Sequence, residues 1–136
     1  MFLGEYTYSL DAKARMFVPA SFREELGNEF ILCKGIENTL RLYPKSSWDE
    51  FVEKLRALPD TEAMAVKLFF FSSAREASLD SQGRLLIPQA YREHAGIDKD
   101  VCVLGNYNRV ELWSVAAWES FRKDSDLRER MIKLGV

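Results

Sequence analysis

"LDAKARMFVP" (residues 10–19) and "LDSQGRLLIP" (residues 79–88) are written on one ten-residue pattern. At an offset of 69, Leu10 meets Leu79, Asp11 meets Asp80, Arg15 meets Arg84 and Pro19 meets Pro88. The match runs on: Arg23 and Glu24 meet Arg92 and Glu93, Gly27 meets Gly96, and Cys33 meets Cys102. One inserted residue moves the offset to 70, where Gly35 meets Gly105, Asn38 meets Asn108, Leu42 meets Leu112, Trp48 meets Trp118 and Phe51 meets Phe121. Ordered identities with a single gap mark a tandem duplication, and a duplication constrains the fold before any single element does. Each copy is a unit of roughly 45 residues.

Both copies share one local grammar. "RMFVP" and "RLLIP" are short β-prone runs stopped by a proline, which has no N–H to give a ladder. "ASFREELG" and "QAYREHAG" read as one or two helical turns with a glycine where a C-cap belongs. "EFILCKG" and "DVCVLG" read as strands ended by glycine, and "NTLRLYP" and "NRVELWS" alternate as half-buried strands do, starting from turn residues Asn38 and Asn108. The unit is thus β–short α–β–β. A helix is expected after each unit: "SSWDEFVEKLRAL" with Ser47 as N-cap, and "SVAAWESFRKDSDLRERMIKL". "TEAMAVKLFFFSS" predicts one more helix, turning into a strand at Phe70 or Phe71. A unit this small cannot bury a good core alone, but two copies that interlock can. The expected architecture is α+β, mostly β: two β-α-β-β units (1–70 and 71–136) related by a pseudo-twofold, sharing one small barrel with flanking helices.

Bulk composition excludes several classes. Net charge is −2, with 9 basic and 11 acidic residues in 1–70 and 10 of each in 71–136, so any nucleic-acid site must come from the placement of a few cations. The longest apolar run, Leu68–Phe71, is far too short to span a bilayer, and "MFLGEYTYSLDAK" lacks the features of a secretory leader. A cytoplasmic location is the expectation. Cys33 and Cys102 lie in apolar runs and read as buried reduced thiols. The single His94 has no neighbours suited to a metal and reads as a polar helix-surface residue. No nucleophile elbow, P-loop or H-E-x-x-H is present, so neither an enzyme nor a cofactor is expected.

The N-terminal "MFLGEY", the two D-x-x-x-R motifs, "RLLIP" and "NRVELWS" together resemble the MraZ family, over residues 1 to about 130. The resemblance implies a fused pair of AbrB-like units in a double-ψ or swapped-hairpin barrel. It implies a bacterial DNA-binding transcriptional regulator that assembles into rings and controls the division and cell-wall gene cluster containing its own gene. The implied partners are double-stranded DNA carrying repeated promoter boxes and further copies of the chain, with no membrane and no small-molecule substrate. The implied location is the cytoplasm, at the nucleoid. One position departs from the family pattern. Ala14 stands before Arg15 where glycine is usual, as Gly83 stands before Arg84.

An Asp and an Arg four apart on a turn can be a local ion pair that pins the turn. They can equally be a loop in which Asp orders the backbone and Arg reaches DNA, since a guanidinium fork suits phosphate or the guanine edge. Duplication and resemblance favour the second reading for Arg15 and Arg84, with Asp11 and Asp80 orienting them. Lys13 and its counterpart Gln82 sit inside the loops and are further candidates, as are Arg23 and Arg92 on the short helices. Trp48, Trp113, Trp118 and the "LFFF" run read as core or protomer interface rather than a base-stacking platform. The competing function is a protein-interaction module, antitoxin-like or a scaffold, on the same fold.

Overall fold

The computed structural model describes residues 1–136. The two apolar runs of the repeat become strands β2 (Arg15–Phe17) and β6 (Arg84–Leu86), which pair antiparallel with each other. Arg15 faces Leu86, Met16 faces Leu85 and Phe17 faces Arg84. Pro19 and Pro88 end the strands and stand as N-caps of helices α1 (Ala20–Leu26) and α4 (Gln89–Ala95). Gly27 and Gly96 close those helices with positive φ, as expected of C-cap glycines.

The other strands are β1 (Glu5–Ser9), β3 (Phe30–Gly35), β4 (Thr39–Pro44), β5 (Arg75–Ala77), β7 (Asp100–Gly105) and β8 (Val110–Ser114). They form an antiparallel sheet in the order β1-β7-β8-β4-β3-β5. The order is symmetric about its centre, where β8 meets β4. At each edge the halves exchange a strand: β1 of the first half pairs with β7 of the second, and β5 of the second pairs with β3 of the first.

Period-2 alternation sets which side chains go inward. Met16, Leu32, Leu40 and Leu42 from the first half pack with Leu85, Ile87, Val101, Val103, Val110 and Leu112 from the second in one cluster. Each such side chain contributes roughly 1.5–3 kcal/mol on burial. On the sheet's other face, helices α2 (Lys45–Arg56) and α3 (Asp60–Ser73) enclose a smaller cluster of Ile31, Cys33, Tyr43, Leu55 and Phe70. Helices α5 (Val115–Arg122) and α6 (Ser125–Leu134) end the chain and bury no residue fully.

Several expectations are corrected. The protein is α+β, but helices hold more residues than strands, because α2, α3, α5 and α6 outweigh the short β elements. The strands form an open sheet and a separate two-stranded ribbon, with no ladder closing β1 onto β5 into a barrel. The first unit has one more strand than expected, β1, whose residues are mostly exposed although Tyr6, Tyr8 and Leu10 alternate along and just beyond it and Tyr8 and Leu10 pack on the core. Helix α3 continues through Phe70 and Phe71 to Ser73, and the following strand begins only at Arg75. Pro44, not Ser47, caps α2. The last expected helix is two, because the Asp124 side chain accepts from the Asp126 amide and starts α6 afresh.

The two cysteines are buried and free but are not counterparts. Thr7 and Glu76 are equivalent at the offset of 69, and they face Cys102 and Ile31 respectively. Two extra residues between Gly96 and β7 shift the register, and they bring Ile97 into the core.

Candidate nucleic-acid interface

The loop before β2 is built by one carboxylate. Asp11 Oδ1 accepts from the amides of Lys13 and Arg15, each at 2.9 Å. Its Oδ2 accepts from Arg15 Nε at 2.8 Å. The Ala14 amide donates to the Asp11 carbonyl at 3.0 Å and closes the turn. In the loop before β6 the same bonds recur: Gln82 and Arg84 amides to Asp80 Oδ1 at 2.9 Å, and Arg84 Nε to Asp80 Oδ2 at 2.8 Å. The backbone amide of the arginine, then the rest of this cage, holds each carboxyl below the usual aspartate range against partial desolvation. Spacing four is therefore the reach of an Asp that bonds amides two and four residues on and then grips the arginine side chain.

Such a turn needs a left-handed residue just before the arginine. Gly83 supplies it at φ 80° without strain, and Ala14 adopts φ 60°. The turn geometry is thus required in both copies, and Ala14 bears its cost, of order 1 kcal/mol.

The antiparallel ribbon places both arginines on one face. Met16 and Leu85 point into the core, so Arg15, Phe17, Arg84 and Leu86 point outward. Arg84 Nη1 lies 3.9 Å from Asp11 Oδ2, so the second arginine reaches across the ribbon toward the first loop's carboxylate. Phe17 and Leu86, 51% and 53% exposed, stand on this face as the cross-strand neighbours of Arg84 and Arg15. In the sequence they stand only as members of the apolar runs "RMFVP" and "RLLIP". The signal that could have found them is the alternation itself, since Met16 and Leu85 inward dictate their neighbours outward.

Lys13 and Gln82 lie exposed in the loops, with no side-chain bond to the rest of the chain. Arg23 is exposed and lies across the opposite loop, where a Cβ on Gly83 would collide with its guanidinium. Arg92 behaves differently. Its Nε donates to the Ile87 carbonyl at 2.9 Å. Neither arginine pairs with the glutamate that follows it. His94 is half-buried rather than on the surface, with Nε2 3.0 Å from the Gly35 carbonyl. No group of three His, Cys, Asp or Glu side chains comes together as a metal site, and no helix is long and apolar enough to cross a membrane. Trp48 packs with Tyr43, Phe51 and Phe71, and Trp113 with Trp118 and Phe121.

Fold and site together define a duplicated, strand-exchanging α+β protein that presents twin Asp-locked arginines on one ribbon. A profile of the MraZ protein family, whose description adds "antitoxin-like", matches residues 1–68 and 70–133. Full-length relatives named "Transcriptional regulator MraZ" occur in Moorella thermoacetica at 47% identity, Acetivibrio thermocellus at 46% and Clostridium tetani at 44%, each match covering both chains entirely. The chain belongs to the MraZ family.

Proposed function

We propose that this chain is a sequence-specific regulator that binds double-stranded DNA at repeated promoter boxes as a ring-shaped homo-oligomer. Its target is the division and cell-wall gene cluster that includes its own gene, and it works in the cytoplasm at the nucleoid. One observation carries the reading: two arginines, each locked by its own aspartate, lie partly exposed on one face of a two-stranded ribbon. A major groove admits such a ribbon, and a pre-set guanidinium fork can read the N7 and O6 edge of guanine. Lys13, Gln82, Arg23 and Arg92 complete the proposed contact set, with Asp11 and Asp80 as loop-orienting residues that stay off the DNA. Net charge of −2 leaves little long-range attraction. Affinity must therefore come from several ribbons held side by side, each raising the effective concentration for the next. Residues 1–70 and 71–136 are read as the two AbrB-like units, in the swapped-hairpin arrangement that the exchange of β1 and β5 supports.

Exposed Phe17 and Leu86 on the same face also suit a protein partner, which keeps the interaction-module reading in view. The deciding variant is Arg15→Ala/Arg84→Ala, titrated against promoter DNA and scrambled DNA, with melting temperature and sedimenting mass as controls. The DNA reading expects binding to disappear while fold and mass persist. Wild-type affinity for promoter DNA in the folded double variant would move the interaction module ahead.

A further inference from the structure

Arg41 and Glu111 occupy the same place in the two repeats, at an offset of 70, and they face each other across the β4–β8 ladder. Their surroundings differ in kind. Glu111 is fully engaged: it accepts from Asn106 Nδ2 at 2.7 Å, Trp113 Nε1 at 2.9 Å and Arg109 Nε at 3.0 Å. Burial would push its carboxyl up, but these donors, with the Arg109 charge, hold it below the ordinary glutamate range. Arg41 has no carboxylate within ion-pair distance, although it is only 8% exposed. Its single side-chain hydrogen bond runs from Nη1 to Tyr43 Oη at 3.0 Å, and its Nε is buried with no partner. The guanidinium lies 5.0 Å from the Phe70 ring centre and 5.7 Å from that of Phe51. Two aromatic faces offset part of the desolvation of a cation but leave its N–H donors unmatched. Cys33, opposite Arg41 on β3, supplies no anion, because burial pushes its thiol up to about 12 against the pull of Arg41 and Arg109.

The unmatched cation opens on a cavity. A pocket of about 480 Å³ is lined by the cations Arg41, Arg109 and Lys54 and by the apolar Ile36, Phe51 and Phe70, with Glu50 the one acid at its wall. A buried cation without a countercharge is costly, and removing or completing it stabilises the fold.

We propose that this pocket is a carboxylate-binding site, with Arg41 as the anchor and the aromatic walls accepting the apolar body attached to the carboxylate. A planar carboxylate matches, two at a time, the guanidinium donors that the Tyr43 bond leaves unpaired. The same chemistry can arrive on a small free acid or on a side chain of a second copy of the chain. The site is independent of the ribbon that carries the proposed DNA contacts.

The test uses the full chain. Melting temperature is followed while benzoate, acetate or inorganic phosphate is titrated at constant ionic strength, and sedimenting mass is measured in parallel. For a free acid, benzoate stabilises the protein saturably and more than acetate does. Arg41→Met then weakens its apparent Kd by about tenfold or more, as loss of a charge-assisted bond requires, and melts higher than wild type when no anion is present. Arg41→Lys, which keeps the charge but not the fork, gives the same comparison should Arg41→Met fail to fold. For a carboxylate from a second copy, the added acids do nothing and both variants lower the sedimenting mass. The proposal is overturned if no acid stabilises the wild type and mass is unchanged in the variants. Stabilisation by phosphate alone, or stabilisation by benzoate that persists in the folded variants, overturns it too.

Discussion

The two halves agree at their loops and disagree at their helices. The Asp11 and Asp80 cages match bond for bond, with carboxylate distances of 2.9 Å to the amides and 2.8 Å to the arginine Nε in both. Behind them, each half carries an aromatic triplet in the same order: Tyr43, Trp48 and Phe51, then Trp113, Trp118 and Phe121. In the first half α3 lays Phe70 edge-on against Phe51, at 5.0 Å and 90°, and seals the triplet. In the second half nothing does so: Phe121 stays 38% exposed and α6 leaves Met131, Ile132 and Leu134 in solvent. Duplicated sequence has therefore kept the loop geometry fixed while the packing behind it diverged.

Truncating the seal should have the largest effect. Phe70→Ala removes a 6% exposed ring from the smaller core and is expected to cost about 3–5 kcal/mol. Phe121→Ala, at the counterpart triplet, should cost below about 1 kcal/mol. Chemical denaturation of the two variants measures both. Equal losses would mean that the second triplet is covered in solution by something outside the single chain.

Next come the arginines taken singly. Arg15→Ala and Arg84→Ala should each weaken promoter binding by about 1–3 kcal/mol with relaxed sequence preference, if each reads a base edge. Because their cages match, the two losses should be similar in a fluorescence titration. A loss confined to one variant would break the equivalence of the loops. Backbone strain gives a smaller contrast. Gly83→Ala places a side chain at φ 80° and pushes the Arg23 guanidinium aside, and should cost about 1–2 kcal/mol. Ala14→Gly relieves strain but loosens the unfolded chain, so its net change should stay within about 1 kcal/mol. Paired thermal melts distinguish them.

Acid should act last and least. The cage lowers the carboxyl pKa of Asp11 and Asp80 in the folded protein. Their contribution is therefore present above the unfolded aspartate pKa and is lost as pH falls through the lowered folded value. Amide exchange or NMR shifts of Lys13 and Gln82 should report loop loosening only at the acid end of that window. Asp11 also sits 3.9 Å from Arg84, whereas Asp80 touches only its own arginine. Asp11→Ala should accordingly loosen both loops, and Asp80→Ala one.

Much of this was legible because it is local. Proline at 19 and 88, glycine at 27 and 96, and the alternation of β4 and β8 announce their elements directly. The D-x-x-x-R spacing marked the loops, since Asp-to-amide bonds span only a few residues. What escaped detection depends on partners distant in sequence. Strand β1, and the place where β5 begins, depend on the edge of the other half that receives each of them. The cysteines align in sequence yet differ in register, because a two-residue insertion hides between a glycine and a strand. Arg41 reads as an outward polar residue in "TLRLYP", and only packing of α2 and α3 over that face buries it. Outward Phe17 and Leu86 needed the ribbon partner to be known.

The exchanged strands also set a timetable for the chain as it leaves the ribosome. Thr7, in the first strand made, pairs with Cys102, and Ile31 pairs with Glu76. At about 5–20 residues per second, β3 waits roughly 2–9 s for its edge partner and β1 roughly 5–19 s for its own. During that interval these strand edges, with those of β2 and β4, are free, and neighbouring nascent chains further along the same message carry the matching strands. Slow translation between residues 35 and 75 should therefore favour entanglement of neighbouring chains over closure of each on itself.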